Sequence, residues 1–120
     1  MTIFLTVLAA VVQSAVNYPP DTDCQEAGDG STYAMAQCFT AQSNVWDTRL
    51  NAEYQAALKR AEVKRRSLVK AQRAWLLYRD ANCEAYYTVN GSIRTILAGK
   101  CWRDMTRDRT LELQQMAWTG

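Results

Sequence analysis

Residues 71–83, AQRAWLLYRDANC, read as one turn after another of a helix whose inner side is not purely apolar. At about 100° per residue, Leu68, Gln72, Trp75, Leu76, Arg79, Cys83 and Tyr86 fall on one side, with Arg66, Lys70, Arg73 and Leu77 elsewhere. A glutamine and an arginine therefore interrupt the buried stripe. A charge taken out of water is expensive unless it is paired and hydrogen-bonded. Such a helix needs specific polar partners from other segments, and a cysteine partner too.

Working outward, the flanking segments have the same helical period. Ser31 is placed as an N-cap, and from there to about Arg60 there is no Gly or Pro. Phe39, Ser43, Trp46, Leu50, Tyr54, Ala57 and Ala61 line one side of this stretch. Asp47 and Asn51 flank that side, where they either offer oxygen atoms to a neighbouring helix or are simply solvated. A bend is expected between Arg60 and Ser67. Beyond about Thr88, Asn90-Gly91-Ser92 is a turn signal, with Ser92 in position to cap a third helix over roughly Ile93 to Ala117. The inward face predicted for that helix is Ala98, Cys101, Trp102, Met105, Arg109, Leu113 and Met116. Gly99 inside it costs about 1 kcal/mol relative to Ala, which a close approach of another backbone would explain. Strand alternation, repeats and a second domain are all lacking. The fold class is all-α: a small three-helix antiparallel bundle.

The 120 residues fit one domain, and the formal net charge of +2 is too small to argue for nucleic acid. The apolar run Ile3 to Val16 is short for a bilayer span and has the length of a signal-peptide hydrophobic region, although no Lys or Arg precedes it. A membrane anchor or a buried amphipathic helix is the competing reading. The expected division is residues 1–15 as signal peptide, 16–30 as an acidic loop and 31–120 as the helical domain, with export, no stable membrane insertion after cleavage and no lipid attachment at Cys24.

The four cysteines, Cys24, Cys38, Cys83 and Cys101, contain no C-x-x-C, and the chain has no histidine. A zinc site, a cofactor-bearing centre and any Ser-His-Asp or Cys-His catalytic set are disfavoured. Four cysteines in an exported chain read as two disulfides, with three possible connectivities. Local pairing, Cys24 with Cys38 and Cys83 with Cys101, is the easiest, each closing a loop of roughly 15 residues worth about 3 kcal/mol in the chain-entropy model. Reactive or metal-bound thiols are the alternative.

The arginines in apolar stripes, Arg79 and Arg109, have Asp47, Asn51, Gln72, Asp80 and Thr106 as candidate acceptors. The expectation is an interhelical network that fixes register; a ligand site made of the same groups is the alternative. Paired carboxylates such as Asp47 and Asp80 would be held ionised by their arginine neighbours, which is poor for a general acid. The reading is non-enzymatic.

Together these residues resemble a known family, the secreted bacterial domain found at the N-terminus of the lysozyme inhibitor LprI. The resemblance runs from Cys24 to about Leu113. It rests on the pair Cys24 and Cys38, on Leu50-Asn51 with Tyr54, and on Ala71-Gln72-Arg73-Ala74-Trp75, Tyr78-Arg79-Asp80-Ala81 and Cys83. Gly91-Ser92, Cys101, Thr106, Arg109 and Leu113 continue it. The family's usual Gly-Gly-Ser reads Asn90-Gly91-Ser92 here. The resemblance implies a helical exported domain with two disulfides, and lysozyme as the partner, inhibited by occlusion of its glycan cleft. The candidate contacts are the acidic loop (Asp21, Asp23, Glu26, Asp29) and the turn Asn90, Gly91, Ser92. A second reading is an envelope module that holds polyanions, such as lipopolysaccharide phosphates or acidic glycans, through Lys59, Lys64, Arg65, Arg66, Lys70 and Arg73. A third is an adaptor for another periplasmic protein.

Overall fold

The computed structural model describes residues 21–60 and 62–118. The expected signal peptide, the loop's first residues and Ala61 lie outside them. Three helices follow the entry loop: α1, Thr32–Arg60; α2, Arg65–Ala85; and α3, Ile93–Ala117. A 3-10 turn, Tyr86–Thr88, leads out of α2.

Local chemistry explains most boundaries. Ser31 Oγ accepts the Ala34 N–H at 3.1 Å and so caps α1, while Asp29 Oδ1 accepts the Ser31 N–H at 3.0 Å. Lys59 and Arg60 close α1 with positive charge where the helix dipole favours it. Gly91 has φ 87°, a conformation that disfavours any other residue, and it reverses the chain between α2 and α3. The expected Ser92 cap does not form: Ser92 is already helical in φ and ψ and makes no side-chain cap bond, and its carbonyl accepts from Thr95 Oγ1 at 3.0 Å.

Successive helices are antiparallel. Gln72, Arg79 and Cys83 of α2 meet Arg109, Thr106 and Cys101 of α3 in reverse order. It follows that α1 and α3 run parallel. Gly99 lies against Ala36 and Phe39 near their starts, and Leu113 lies with Leu50 and Ala57 near their ends. The α1–α3 pair is the main packed interface, and α2 packs along α3 from Cys101 to Leu113.

That interface corrects the face predicted for α3. The buried residues are Ala98, Gly99, Arg103, Thr106, Arg109, Thr110 and Leu113, whereas Cys101, Trp102, Met105 and Met116 are half-buried. Gly99, Arg103, Thr106, Thr110 and Leu113 repeat at four and three residues, a coiled-coil seam. Three of its members, Gly99, Thr106 and Thr110, are small, and α1 packs Phe39, Trp46, Leu50 and Ala57 against it. A Cβ on Gly99 would stand 3.2 Å from the Phe39 Cβ, so the two backbones approach closely here. Thr110 is fully buried and satisfies its own hydroxyl on the Thr106 carbonyl at 2.7 Å, behaving as a small apolar residue. Tyr86, placed on the inner side of α2 by period alone, is exposed because the helix has already tightened into the 3-10 turn.

The apolar core sits toward the C-terminal ends of α1 and α3: Leu50, Ala57, Leu68 and Leu113, with Tyr54, Leu58, Trp75 and Met116 against them. The cysteines pair locally, Cys24 with Cys38 and Cys83 with Cys101, at Cα separations of 5.8 and 5.4 Å.

Candidate functional site

The polar groups inside the bundle organise around four arginines. Arg79 Nε donates to Asp80 Oδ1 at 2.9 Å, and its Nη1 reaches Asp47 Oδ1 at 3.5 Å and Thr106 Oγ1 at 3.3 Å. Asp80 also accepts from Trp102 Nε1 at 3.2 Å, and the Arg79 guanidinium stacks 5.1 Å over the Trp75 ring. One level further along α3, Arg109 Nε donates to the buried Gln72 Oε1 at 2.9 Å and Nη1 to Glu112, while its Nη2 is buried with no partner. Asp47, Gln72, Arg79, Asp80, Thr106 and Arg109 thus come together across all three helices. Asn51 is the exception and a correction: it is exposed, one helical turn past Asp47 but rotated toward water.

A second pair of arginines fastens the entry loop. Arg103 donates to the Thr22 carbonyl and, at 2.8 Å, to Gln42 Oε1, and it stacks 4.8 Å over the Phe39 ring. Arg107 Nη1 pairs with Asp21 Oδ2 at 2.6 Å, and the other Asp21 oxygen accepts from Trp46 Nε1 at 3.0 Å. Burial alone would raise the Asp21 carboxyl, but hydrogen bonds from Arg107 and Trp46 and the charges of Arg107 and Arg103 outweigh it and hold it below the usual carboxylate value. The Asp21 bond in turn pushes the Arg107 guanidinium further up. Asp21, grouped by sequence with the projecting acids, belongs to the scaffold.

Arg103 and Arg107 escaped the sequence reading because neither fell on an apolar stripe. A signal was present, however. Arg79-Asp80, Arg103-Asp104 and Arg107-Asp108 are three Arg-Asp steps, and in each the arginine Nε donates to the following carboxylate, at 2.9, 2.8 and 2.9 Å. The neighbour offsets the guanidinium charge, in Arg103 through Nη2 as well, and leaves Nη1 to reach across the bundle.

A cleft of about 360 Å³ opens above Arg79, walled by α1 (Ala36, Thr40, Ser43, Asp47), Gly99, Trp102 and Tyr87. Its charged lining residues are Arg79 and Asp47, which pair at 3.5 Å, so the two charges in the cleft wall offset each other. Among the described residues no group of three or more His, Cys, Asp or Glu is arranged to hold a metal ion.

The surface is polarised by the parallel run of α1 and α3. Both begin at the same end of the bundle, bringing the entry loop and the Asn90-Gly91-Ser92 turn to that end. Asp23, Glu26 and Asp29 are exposed on the loop. Around the turn, Tyr86, Tyr87, Val89 and Ile93 are exposed apolar residues, and Tyr33 opens α1 in the same way. At the opposite end lie the close of α1, the start of α2 and the last turn of α3, and Lys59, Lys64, Arg65, Arg66, Lys70 and Arg73 are all exposed there.

Comparison with known proteins follows the same residues. The model of the family described as lysozyme inhibitor LprI matches residues 24–113, a span that includes both disulfides and the Arg79 and Arg109 networks. An uncharacterized protein of Rhizobium meliloti (strain 1021) is 33% identical over 112 residues, covering 89% of this chain and 75% of its own length. No solved structure matches the chain.

Proposed function

The chain belongs to the LprI lysozyme inhibitor family, and on that premise we propose that it is an exported, non-enzymatic inhibitor that binds lysozyme and covers its glycan cleft. The observation that carries this reading is the family match across residues 24–113. The contact is the end of the bundle formed by the entry loop and the Asn90-Gly91-Ser92 turn. Exposed aromatic and branched apolar side chains beside a charged rim are the composition of a protein-binding patch. Tyr86, Tyr87, Val89 and Ile93 supply the apolar part, and Asp23, Glu26 and Asp29 supply charge opposite to that of a basic enzyme. The Cys24–Cys38 bridge and the Asp21–Arg107 pair hold the loop before any partner arrives, which lowers the ordering cost of binding.

The experiment is a muramidase turbidity assay with the oxidised protein at micromolar concentration. Slowed clearing is expected, lost on Ile93→Asp and weakened by the combined Asp23→Asn, Glu26→Gln and Asp29→Asn changes, with helicity and melting temperature unchanged. Unimpeded clearing with every lysozyme type overturns the reading. Export is checked separately by the N-terminal mass of the protein recovered outside the cytoplasm. Among the described residues no helix is long and apolar enough to cross a membrane.

A further inference from the structure

The near-neutral total charge conceals a strong separation. Residues 59–73 hold seven of the fourteen cations (Lys59, Arg60, Lys64, Arg65, Arg66, Lys70 and Arg73) and one acid, Glu62. Everything else, with seven cations and eleven acids, is net negative. All seven are exposed, and none is in an ion pair among the described residues. The contrast with the interior is sharp, since Arg79, Arg103, Arg107 and Arg109 each have a carboxylate partner. Like charges crowded without counter-charges repel one another, so this end carries an unmet demand for anions.

The arrangement narrows the kind of anion. Arg65, Arg66, Val69, Lys70 and Arg73 line one shallow depression on the first turns of α2. Lys59 and Arg60 line a second one with Ala117 and Trp118. No side chain caps the α2 N-terminus, whose N–H groups add partial positive charge between the two. Trp118 is 78% exposed at the tip of α3, and Val63 is 44% exposed in the α1–α2 connection. Cations drawn from separate segments at one end, with an indole and a valine projecting among them, present a broad face. A groove that threads a polymer strand has another shape. Indole rings settle at the headgroup level of bilayers, and clustered Lys and Arg are attracted to anionic leaflets.

We propose that this basic, Trp118-tipped end docks peripherally on an anionic phospholipid surface, with the cations of residues 59–73 on headgroup phosphates and Trp118 at the interface. The docking is reversible and needs no spanning segment. It uses the end of the bundle opposite the proposed lysozyme contact, so it stands or falls independently of inhibition.

The test is co-sedimentation of the oxidised protein with vesicles of phosphatidylglycerol and phosphatidylcholine, against phosphatidylcholine alone. Binding to the anionic vesicles is expected, falling by about tenfold or more between roughly 50 and 300 mM salt as the charges are screened. Combined Arg65→Glu, Arg66→Glu and Lys70→Glu changes should abolish it, with the circular dichroism of the folded protein intact. Trp118→Ala should weaken it several-fold, and brominated lipid should quench a component of fluorescence that Trp118→Phe lacks. The proposal is overturned by equal binding to both vesicles or by none. It is equally overturned by binding confined to vesicles containing lipid A, or by capture on DNA or a sulfated glycan that matches vesicle binding and ignores Trp118.

Discussion

Replacing Gln72 with leucine tests the deepest part of the interior. Gln72 and Arg109 are 5% and 8% exposed, and the Gln72 Oε1 is the acceptor of Arg109 Nε at 2.9 Å. Arg109 already has one buried nitrogen without a partner, and its remaining carboxylate, Glu112, is 57% exposed and reaches a different nitrogen. Gln72→Leu keeps the volume and removes the acceptor, leaving a second guanidinium nitrogen dry and unsatisfied. A hydrogen bond to a charged group together with the desolvation of its orphaned donor is worth about 2–3 kcal/mol. For a folded domain of this size the melting temperature should fall by roughly 10–20 °C. Arg109→Met leaves an unpaired but neutral amide and should cost less. The double variant removes both ends of the bond and should recover at least about 1 kcal/mol relative to the sum of the singles. Urea unfolding of the four proteins, followed by circular dichroism with disulfides intact, measures the cycle. A loss below about 0.5 kcal/mol for Gln72→Leu, or strict additivity, would refute a buried, mutually dependent pair.

Other outcomes follow from the same geometry. Gly99→Ala gains about 1 kcal/mol of helix propensity, but its methyl lands 3.2 Å from a Cβ fixed to the α1 backbone, so the urea midpoint should fall rather than rise. Arg79→Ala should cost less than the loss of several kcal/mol expected for a fully buried charge, about 1–2 kcal/mol, because Asp47 and Asp80 are half-exposed and water screens what remains. The Asp21 carboxyl titrates lower in the folded protein than the unfolded value near 3.9, so its stabilisation is full above about pH 4 and is lost as pH falls through the folded value. Melting curves of the parent and Asp21→Asn should therefore differ at neutral pH and converge on acidification; a constant offset would place the effect elsewhere.

The helices and the turn before α3 were legible in the sequence because they rest on local signals: the Ser31 cap, the long stretch without Gly or Pro, and the Asn90-Gly91 reversal; the α1–α2 joint, with no Gly or Pro, was only bracketed between Arg60 and Ser67. Cysteine proximity was enough to suggest the pairing found. The inner face of α3 was not legible. Of its seam only Leu113 is hydrophobic by type; Gly99, Arg103, Thr106 and Thr110 are not, and they are buried because α1 brings the bulk. Apolar periodicity finds the partner that fills space and overlooks the one that makes room. Trp102 and Met105 misled for the converse reason, since large apolar groups at the margin are half-covered by neighbours beyond the seam. Within the polar network, Gln72, Arg79 and Arg109 stood out because they violate an apolar stripe. Arg103 and Arg107 violate none, and their partners, Asp21 and Thr22, lie more than eighty residues away in the chain.

The clasp of Arg103 and Arg107 on Asp21 and Thr22 also decides how the domain bears mechanical load. Tension on the chain ahead of Asp21 meets the Arg107 and Trp46 bonds to Asp21 and the Arg103 and Gln42 bonds to Thr22 before it passes to Cys24. Even when they yield, the Cys24–Cys38 bridge stops the peel close to the start of α1. A domain held by its leading end would keep its helical body slack while the strap takes the strain.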